Sequence, residues 1–137
     1  MHRPIYLSLL ILITISLLAG CTHSNSVQES DIVGKTYTYE KPGFGGDFTI
    51  QIKEDGTFSY YEGMLSSYIG RGTWTLEGDT LFLSDDIISA YARDNYFKVD
   101  GEDLVFQSQN STNFLYLEVA DGERFTGSPT EPAQSPE

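Results

Sequence analysis

Four pairs of an acidic residue followed by glycine recur along the chain, at separations of 22, 23 and 21 residues: Asp55-Gly56, Glu77-Gly78, Asp100-Gly101 and Asp121-Gly122. Such pairs are typical of tight hairpin turns, because these residues tolerate the positive φ angles that the turns require. Each of the first three pairs separates two stretches rich in the β-branched, aromatic and aliphatic residues that favour strands. The spacing therefore predicts a meander of antiparallel strands.

Hydrophobic and polar residues alternate on both sides of these turns. Phe48, Ile50 and Ile52 precede the first turn at every second position, and Phe58 and Tyr60 continue the set after it. Successive side chains of a strand point to opposite faces, so these five residues share one face. We predict eight strands, at residues 35–40, 47–53, 57–62, 71–76, 80–84, 95–99, 103–108 and 113–119.

Eight short antiparallel strands bury their edges best by closing on themselves, so the predicted fold is an all-β, up-and-down barrel. A barrel of this size is filled by side chains or holds one small ligand. Residues 85–94 (DDIISAYARD) are ambiguous. Asp85 or Asp86 could cap a short helix, whereas the β-branched Ile87 and Ile88 suit an extended strand. We favour the helix.

The first twenty residues, MHRPIYLSLLILITISLLAG, combine an early Arg3 with an uncharged apolar run, the pattern of an export signal. The run leads into Leu18-Ala19-Gly20-Cys21, which resembles the lipobox of bacterial lipoproteins. The resemblance implies cleavage between Gly20 and Cys21, a diacylglyceryl thioether on Cys21 and an amide-linked acyl chain such as palmitate on the new amino terminus. The alternatives are an ordinary cleaved signal and an uncleaved membrane helix.

These features divide the chain into four parts. Residues 1–20 are the predicted signal peptide, residues 21–32 the lipidated cysteine and a flexible polar tether, residues 33–125 the barrel, and residues 126–137 a disordered tail with three prolines. Two or three acyl chains anchor a protein firmly, so we expect the cell envelope as its location. By resemblance to enterobacterial lipoproteins, Thr22 after the cysteine favours the outer membrane where a cell has two membranes.

The body also resembles a known group of barrels. The stretches GGDFTIQIKEDGTFSYYEG, GRGTWTLEGDTLFL and NYFKVDGEDLVF look like the lipocalin-like barrels of small bacterial envelope lipoproteins, including the N-terminal domain type of the copper-responsive envelope stress lipoprotein. That domain type carries a Cys-x-x-Cys pair near the start of its barrel. This chain has Gly43-Phe44-Gly45-Gly46 there and no second cysteine, so a thiol metal site or a redox function is not implied.

The predicted body lacks the residue types on which most catalysis depends. The only histidines of the chain, His2 and His23, precede the predicted body. We therefore predict no catalytic residue, no metal site and no cofactor. A hydrolase that uses two carboxylates is the remaining enzymatic alternative. Its candidate acids are Glu40, Asp47, Glu62, Asp79, Asp85, Asp86 and Asp94.

Charge limits the partners. The net charge is −12, and it becomes −13 after loss of Arg3 with the signal, so we expect no nucleic-acid binding and a preference for cationic partners. We predict a membrane-anchored module that binds a small apolar ligand or an envelope protein. The alternatives are an inhibitor of a cationic protein such as lysozyme and the carboxylate hydrolase. The candidate contact residues are Tyr60, Met64, Leu65, Tyr68, Ile69, Trp74 and Tyr91.

Overall fold

The computed structural model of the protein describes residues 26–40, 47–63, 68–85 and 93–131. It confirms the predicted fold class, because eight antiparallel strands pair in sequence order and the last pairs with the first to close a barrel. The strands are β1 (Lys35–Tyr39), β2 (Phe48–Ile52), β3 (Thr57–Glu62), β4 (Tyr68–Glu77), β5 (Thr80–Asp85), β6 (Arg93–Asp100), β7 (Asp103–Gln107) and β8 (Arg124–Pro129).

The up-and-down order gives the barrel two unlike ends. The tight turns after β2, β4 and β6 lie together at one end, called the turn end here. Gly56, Gly78 and Gly101 have φ angles of 80°, 64° and 65° in these turns, as the acidic residue–glycine pairs predicted. The longer connections after β1, β3, β5 and β7 all lie at the opposite end, the loop end. The connection after β7 is the longest, at residues 108–123.

The eighth strand is not where the sequence analysis placed it. Residues 113–119 are not a strand, and the eighth strand is Arg124–Pro129. Asn113 has a φ of 71°, which breaks the extended backbone. Phe114, Leu117 and Val119 are buried at intervals of three and two residues, so residues 113–119 fold over the loop end.

The barrel therefore continues past the predicted boundary at residue 125. Thr126 pairs with Thr38 and Pro129 with Lys35, so four residues assigned to a disordered tail belong to β8. The short strand follows the fourth acidic residue–glycine turn, where Gly122 has a φ of 79°. Residues 132–137 of the predicted tail lie outside the described residues.

The ordered body also begins earlier than predicted. Ile32 is fully buried, Val27 packs against the core, and Glu29–Asp31 form one turn of 3₁₀ helix. These residues were assigned to the flexible tether. The contacts of Ile32 and Val27 with the core attach this segment to the barrel.

The predicted helix within residues 85–94 is largely outside the described residues, since Asp85 ends β5, Arg93 begins β6 and residues 86–92 are not described. Asp85 is the last residue of β5, and its buried carboxylate accepts a hydrogen bond from the Tyr60 hydroxyl. In the part of the chain that is described, no helix has the length and apolar character to span a membrane.

Aromatic rings fill the half of the barrel nearest the loop end. Phe114 lies at their centre, and its ring centroid is 4.5–6.4 Å from those of five other buried residues: Phe48, Tyr60, Phe97, Phe106 and Phe125. We call these five residues the aromatic chamber. Their rings make close offset and edge contacts, an arrangement that stabilises a core beyond the area it buries.

Candidate binding site at the loop end

Polar side chains replace apolar ones on the inner wall at the loop end. Glu62 ends β3, Asp85 ends β5 and Asn95 lies near the start of β6, and all three are buried. Arg93 occupies the next inward-facing position of β6, two residues before Asn95. Buried polar groups of this kind are retained only when they have hydrogen-bond partners.

Residues 113–119, called the capping loop here, supply most of those partners. The side chain of Asn113 folds the loop into a compact unit. Its Oδ1 accepts from the N–H groups of Phe114 and Val119 at 3.0 and 2.9 Å, and its Nδ2 donates to the Val119 carbonyl at 2.9 Å. A short loop whose ends are pinched together in this way resembles a small Ω-loop and keeps its shape largely through its own contacts.

Side chains of the wall hold the backbone of the capping loop. Arg93 Nη1 donates to the carbonyl oxygens of Asn113 and Phe114, each at 3.2 Å. Asn95 Oδ1 accepts from the N–H of Asn113 at 2.9 Å, and Glu62 Oε1 accepts from the N–H of Tyr116 at a long 3.5 Å. The loop is thus attached through wall side chains, with Phe114 inserted into the aromatic chamber.

Glu62 carries the clearest electrostatic perturbation of the site. Burial raises the pKa of its carboxyl above the ordinary value, while the amides of Tyr116 and Leu115 and the charge of Arg93 act in the opposite direction. Burial of the charged Glu62 carboxylate therefore costs more than its contacts with the capping loop and Arg93 recover.

Large apolar side chains are exposed around the loop end. Among the described residues, the exposed examples are Tyr61 at 42%, Ile69 at 52% and Tyr116 at 60%. Tyr61 and Ile69 are paired across β3 and β4 on the outer face, and Tyr116 lies on the capping loop. These three residues are called the apolar rim. Arg71 is exposed two positions along β4 from Ile69. Tyrosine and arginine are the residue types that contribute most at protein interfaces.

The predicted contact residues are not gathered in one place. Tyr60 lies in the aromatic chamber, Ile69 lies on the rim, and Tyr68 begins β4 with a side chain that is not described. Trp74 is buried near the turn end, where its indole N–H donates to the Lys53 carbonyl at 2.9 Å. The remaining residues lie outside the described part of the chain: Met64, Leu65 and Tyr91, as well as Gly20 and Cys21.

Sequence reasoning missed the residues that hold the capping loop, Arg93, Asn95 and Asn113, and treated Glu62 only as a candidate acid. A signal was present for those on the wall. In β6 every second residue points inward, and counting back from Phe97 gives Asn95 and then Arg93. In β3 the same count from Tyr60 gives Glu62. Following it to the strand ends would have placed these polar groups on the inner wall.

The acids considered for catalysis have varied surroundings. Asp85 accepts from the Tyr60 hydroxyl at 2.9 Å, Asp94 accepts from Ser84 at 2.9 Å, and Asp79 lies 3.8 Å from Lys98. Asp86 lies outside the described residues, and Glu40 and Asp47 are exposed at the loop end. Within the described ranges, no three His, Cys, Asp or Glu side chains are grouped to hold a metal ion.

The side chain of Arg124 forms ion pairs with the acidic turn after β6. Arg124 contacts Asp100 at 2.7 Å and Asp103 at 3.1 Å, and the Arg124 guanidinium lowers the pKa of the Asp100 carboxyl. Gly127 on β8 also donates its N–H to Asp103 Oδ1 at 3.1 Å. These acids therefore join the β6–β7 turn to β8, where the barrel closes.

Comparison with known proteins returns no family model, no curated protein and no solved structure that matches this chain, so the residues themselves carry the functional argument.

Proposed function

We propose that this chain is a lipoprotein of the cell envelope, anchored by acyl chains on Cys21, and that its barrel is a binding module for another envelope protein. The support for the anchor is the lipobox-like Leu18-Ala19-Gly20-Cys21 after an uncharged apolar run. The support for the module is the barrel and the apolar rim at its loop end.

The path of the chain into the barrel sets the orientation of the module. Residues 26–30 line one side of an open groove beside the turn that follows β4, and Leu76 and Gly78 line the other side. Five residue steps separate Cys21 from Ser26, so these residues lie within roughly 18 Å of each other even when the chain is fully extended. An anchor at Cys21 therefore keeps the turn end near the bilayer and points the loop end away from it.

The apolar rim is the observation that carries the proposed binding role. Tyr61, Ile69 and Tyr116 lie at the end opposite the attachment point, so on an anchored chain they face away from the bilayer. Exposed apolar residues clustered beside polar ones are typical of protein interaction sites. The aromatic chamber below is filled by Phe114, which favours a protein partner at the surface over a small ligand inside the seated barrel.

A second candidate is inhibition of a cationic protein such as lysozyme. The exposed acids Glu40, Asp47 and Glu118 surround the loop end, and Arg93 is turned inward to the carbonyls of the capping loop. With a net charge of −13 after signal removal, association with a basic partner would be fast and would weaken as salt is added. The carboxylate hydrolase has less support, because Glu62 and Asp85 are already engaged by the capping loop and by Tyr60.

The anchor is tested on the protein purified from its native membrane. Mass spectrometry should show an amino-terminal peptide that begins at Cys21 and carries acyl chains, and the Cys21→Ala variant should lose this modification and its acyl-dependent membrane attachment. An unmodified Cys21 in the native protein contradicts the anchor.

The binding role is tested by site-specific photo-crosslinking in the producing cells. A crosslinker at position 69 or 116 should give the same discrete protein adduct, and a matched crosslinker at the exposed Glu102 of the turn end should not. Equal adducts from both ends, or none from positions 69 and 116, contradict a binding surface at the loop end.

A further inference from the structure

The capping loop is bound in the way that a peptide ligand is bound. Two carbonyl oxygens of its backbone, at Asn113 and Phe114, accept from Arg93. Two of its amide groups donate to Asn95 and Glu62. These wall side chains contact main-chain groups, which every polypeptide possesses. Phe114 inserts its phenyl group among the rings of the aromatic chamber, and Leu117 and Val119 of the same loop are also buried.

The wall is not fully satisfied while the capping loop is seated. Arg93 Nε is a buried donor with no hydrogen-bond acceptor, the one such side-chain atom in the described part of the protein. A buried donor without an acceptor is destabilising, because it has lost its hydrogen bonds to water and gained none in the protein. A segment that supplied a further carbonyl or carboxylate oxygen to this guanidinium would satisfy the wall better than the capping loop does.

The connections of the capping loop allow it to leave as a unit. Asn113 ties the loop to itself through Phe114 and Val119. The barrel is closed beside the loop by separate backbone bonds, from the Phe106 N–H to the Glu123 carbonyl and from the Gly122 N–H to the Phe106 carbonyl, each at 2.9 Å. Withdrawal of residues 113–119 therefore breaks bonds to wall side chains and uncovers Phe114, Leu117 and Val119, but it leaves the barrel strands paired.

We propose that the loop end is a peptide-recognition site, in which the capping loop is a resident pseudo-ligand that an aromatic-bearing segment of a partner protein displaces. The partner segment places a phenylalanine or a similar ring in the aromatic chamber, its carbonyl oxygens on Arg93 and its amides on Asn95 and Glu62. The apolar rim then contacts residues that flank the inserted ring. This inference rests on the proposed binding role of the loop end and names the chemistry of its partner.

The test uses the full chain in lipid nanodiscs and a fluorescent peptide that copies residues 113–119, NFLYLEV. In the Phe114→Ala variant the resident ring is removed, so the peptide should bind at least ten-fold more tightly than it binds the unchanged chain, measured by fluorescence anisotropy. The matched control peptide, NALYLEV, should lose that binding. Empty nanodiscs correct for adsorption of the peptide to lipid.

A second measurement protects the test if Phe114→Ala does not fold. Excess NFLYLEV added to the unchanged chain should accelerate hydrogen exchange of the amides in residues 113–119, while those of β5 and β6 stay protected. Absence of both effects, or equal binding of the alanine peptide, overturns the proposal. Exchange of capping loops between two copies, seen as a stable dimer of the Phe114→Ala variant, also overturns the partner assignment. Both measurements are repeated on the full chain in mild detergent, which requires no acyl anchor, so failure of the anchor and failure of this inference are distinguishable.

Discussion

The hydroxyl of Tyr60 on β3 donates a hydrogen bond of 2.9 Å to Oδ2 of Asp85 on β5, inside the barrel. These strands are not neighbours, because β4 lies between them. The Tyr60 ring crosses the inner face of β4 at Gly70, where any side chain would overlap the ring. A glycine on one strand thus allows a hydrogen bond between the two strands that flank it.

Removal of the Tyr60 hydroxyl tests the value of that bond. Because Tyr60→Phe deprives the buried Asp85 carboxylate of a donor, we expect a loss of about 1–3 kcal/mol in the free energy of unfolding, measured by urea denaturation. Tyr61→Phe, whose ring is exposed on the outer face, is the matched control and should change stability by less than about 0.5 kcal/mol. Equal effects of the two substitutions contradict a structural role for the bond.

Gly70→Ala tests the passage of the ring across β4. The added methyl group would displace the Tyr60 ring from its contacts with Phe48 and Phe114, so we expect a loss of about 1–3 kcal/mol from overpacking. Thr75→Ala, at an exposed position of the same strand, is the control for altering β4. A Gly70→Ala protein as stable as the unchanged chain would show that the ring does not need this space.

The raised pKa of Glu62 predicts a pH dependence with a definite sign. The folded protein binds this proton more tightly than the unfolded chain does, so the stability linked to Glu62 is present at acid pH and is lost as the pH rises through the folded-state pKa. Glu62→Gln removes the charge and retains an acceptor. We therefore expect the variant to be more stable than the unchanged protein at neutral pH, with a difference that disappears toward acid pH.

The measurement is a series of urea denaturations between pH 3 and pH 8, and Glu54→Gln on an exposed turn is the control for loss of one charge. If Glu62→Gln is the less stable protein at neutral pH, then the charged carboxylate stabilises the seated capping loop by more than its burial opposes it.

Asn113 combines a left-handed backbone with a side chain that pinches the capping loop. Asn113→Ala and Asn113→Gly both remove the side-chain bonds, but only alanine is strained at a φ of 71°. We expect alanine to be the more destabilising substitution by about 1–2 kcal/mol, the usual penalty of this conformation for a residue with Cβ. Thermal unfolding of the two variants measures the difference, and equal stabilities would mean that the loop relaxes to another backbone conformation.

The barrel was predictable from sequence because its signals are local. A turn such as Asp55-Gly56 and the alternation of Phe48, Ile50 and Ile52 act within a few residues of one another, and together they specify strand, turn and inward face. The predicted β3 at residues 57–62 has the bounds that the structure gives it.

The capping loop was not predictable in the same way, because tertiary contacts determine it. Residues 113–119 contain Phe114, Tyr116 and Val119, which suit a strand, yet the positive φ of Asn113 and its bonds to Val119 fold them into a loop. The true last strand contains Gly127 and Pro129, which disfavour strands. Pro129 is tolerated because it is the last residue of β8. Gly127 is required because any side chain there would overlap the carbonyl of Glu102.

Lipid quenching tests the proposed orientation of the barrel on its proposed anchor. If the sulfur of Cys21, the only cysteine, is acylated as proposed, a cysteine introduced at Glu102 or at Tyr116 is the single site for a fluorescent label. In vesicles whose lipids carry a nitroxide on the head group, we predict stronger quenching of the label at position 102, on the turn end, than of the label at position 116, on the loop end. Stronger quenching at position 116 would place the apolar rim against the membrane and contradict the proposed orientation.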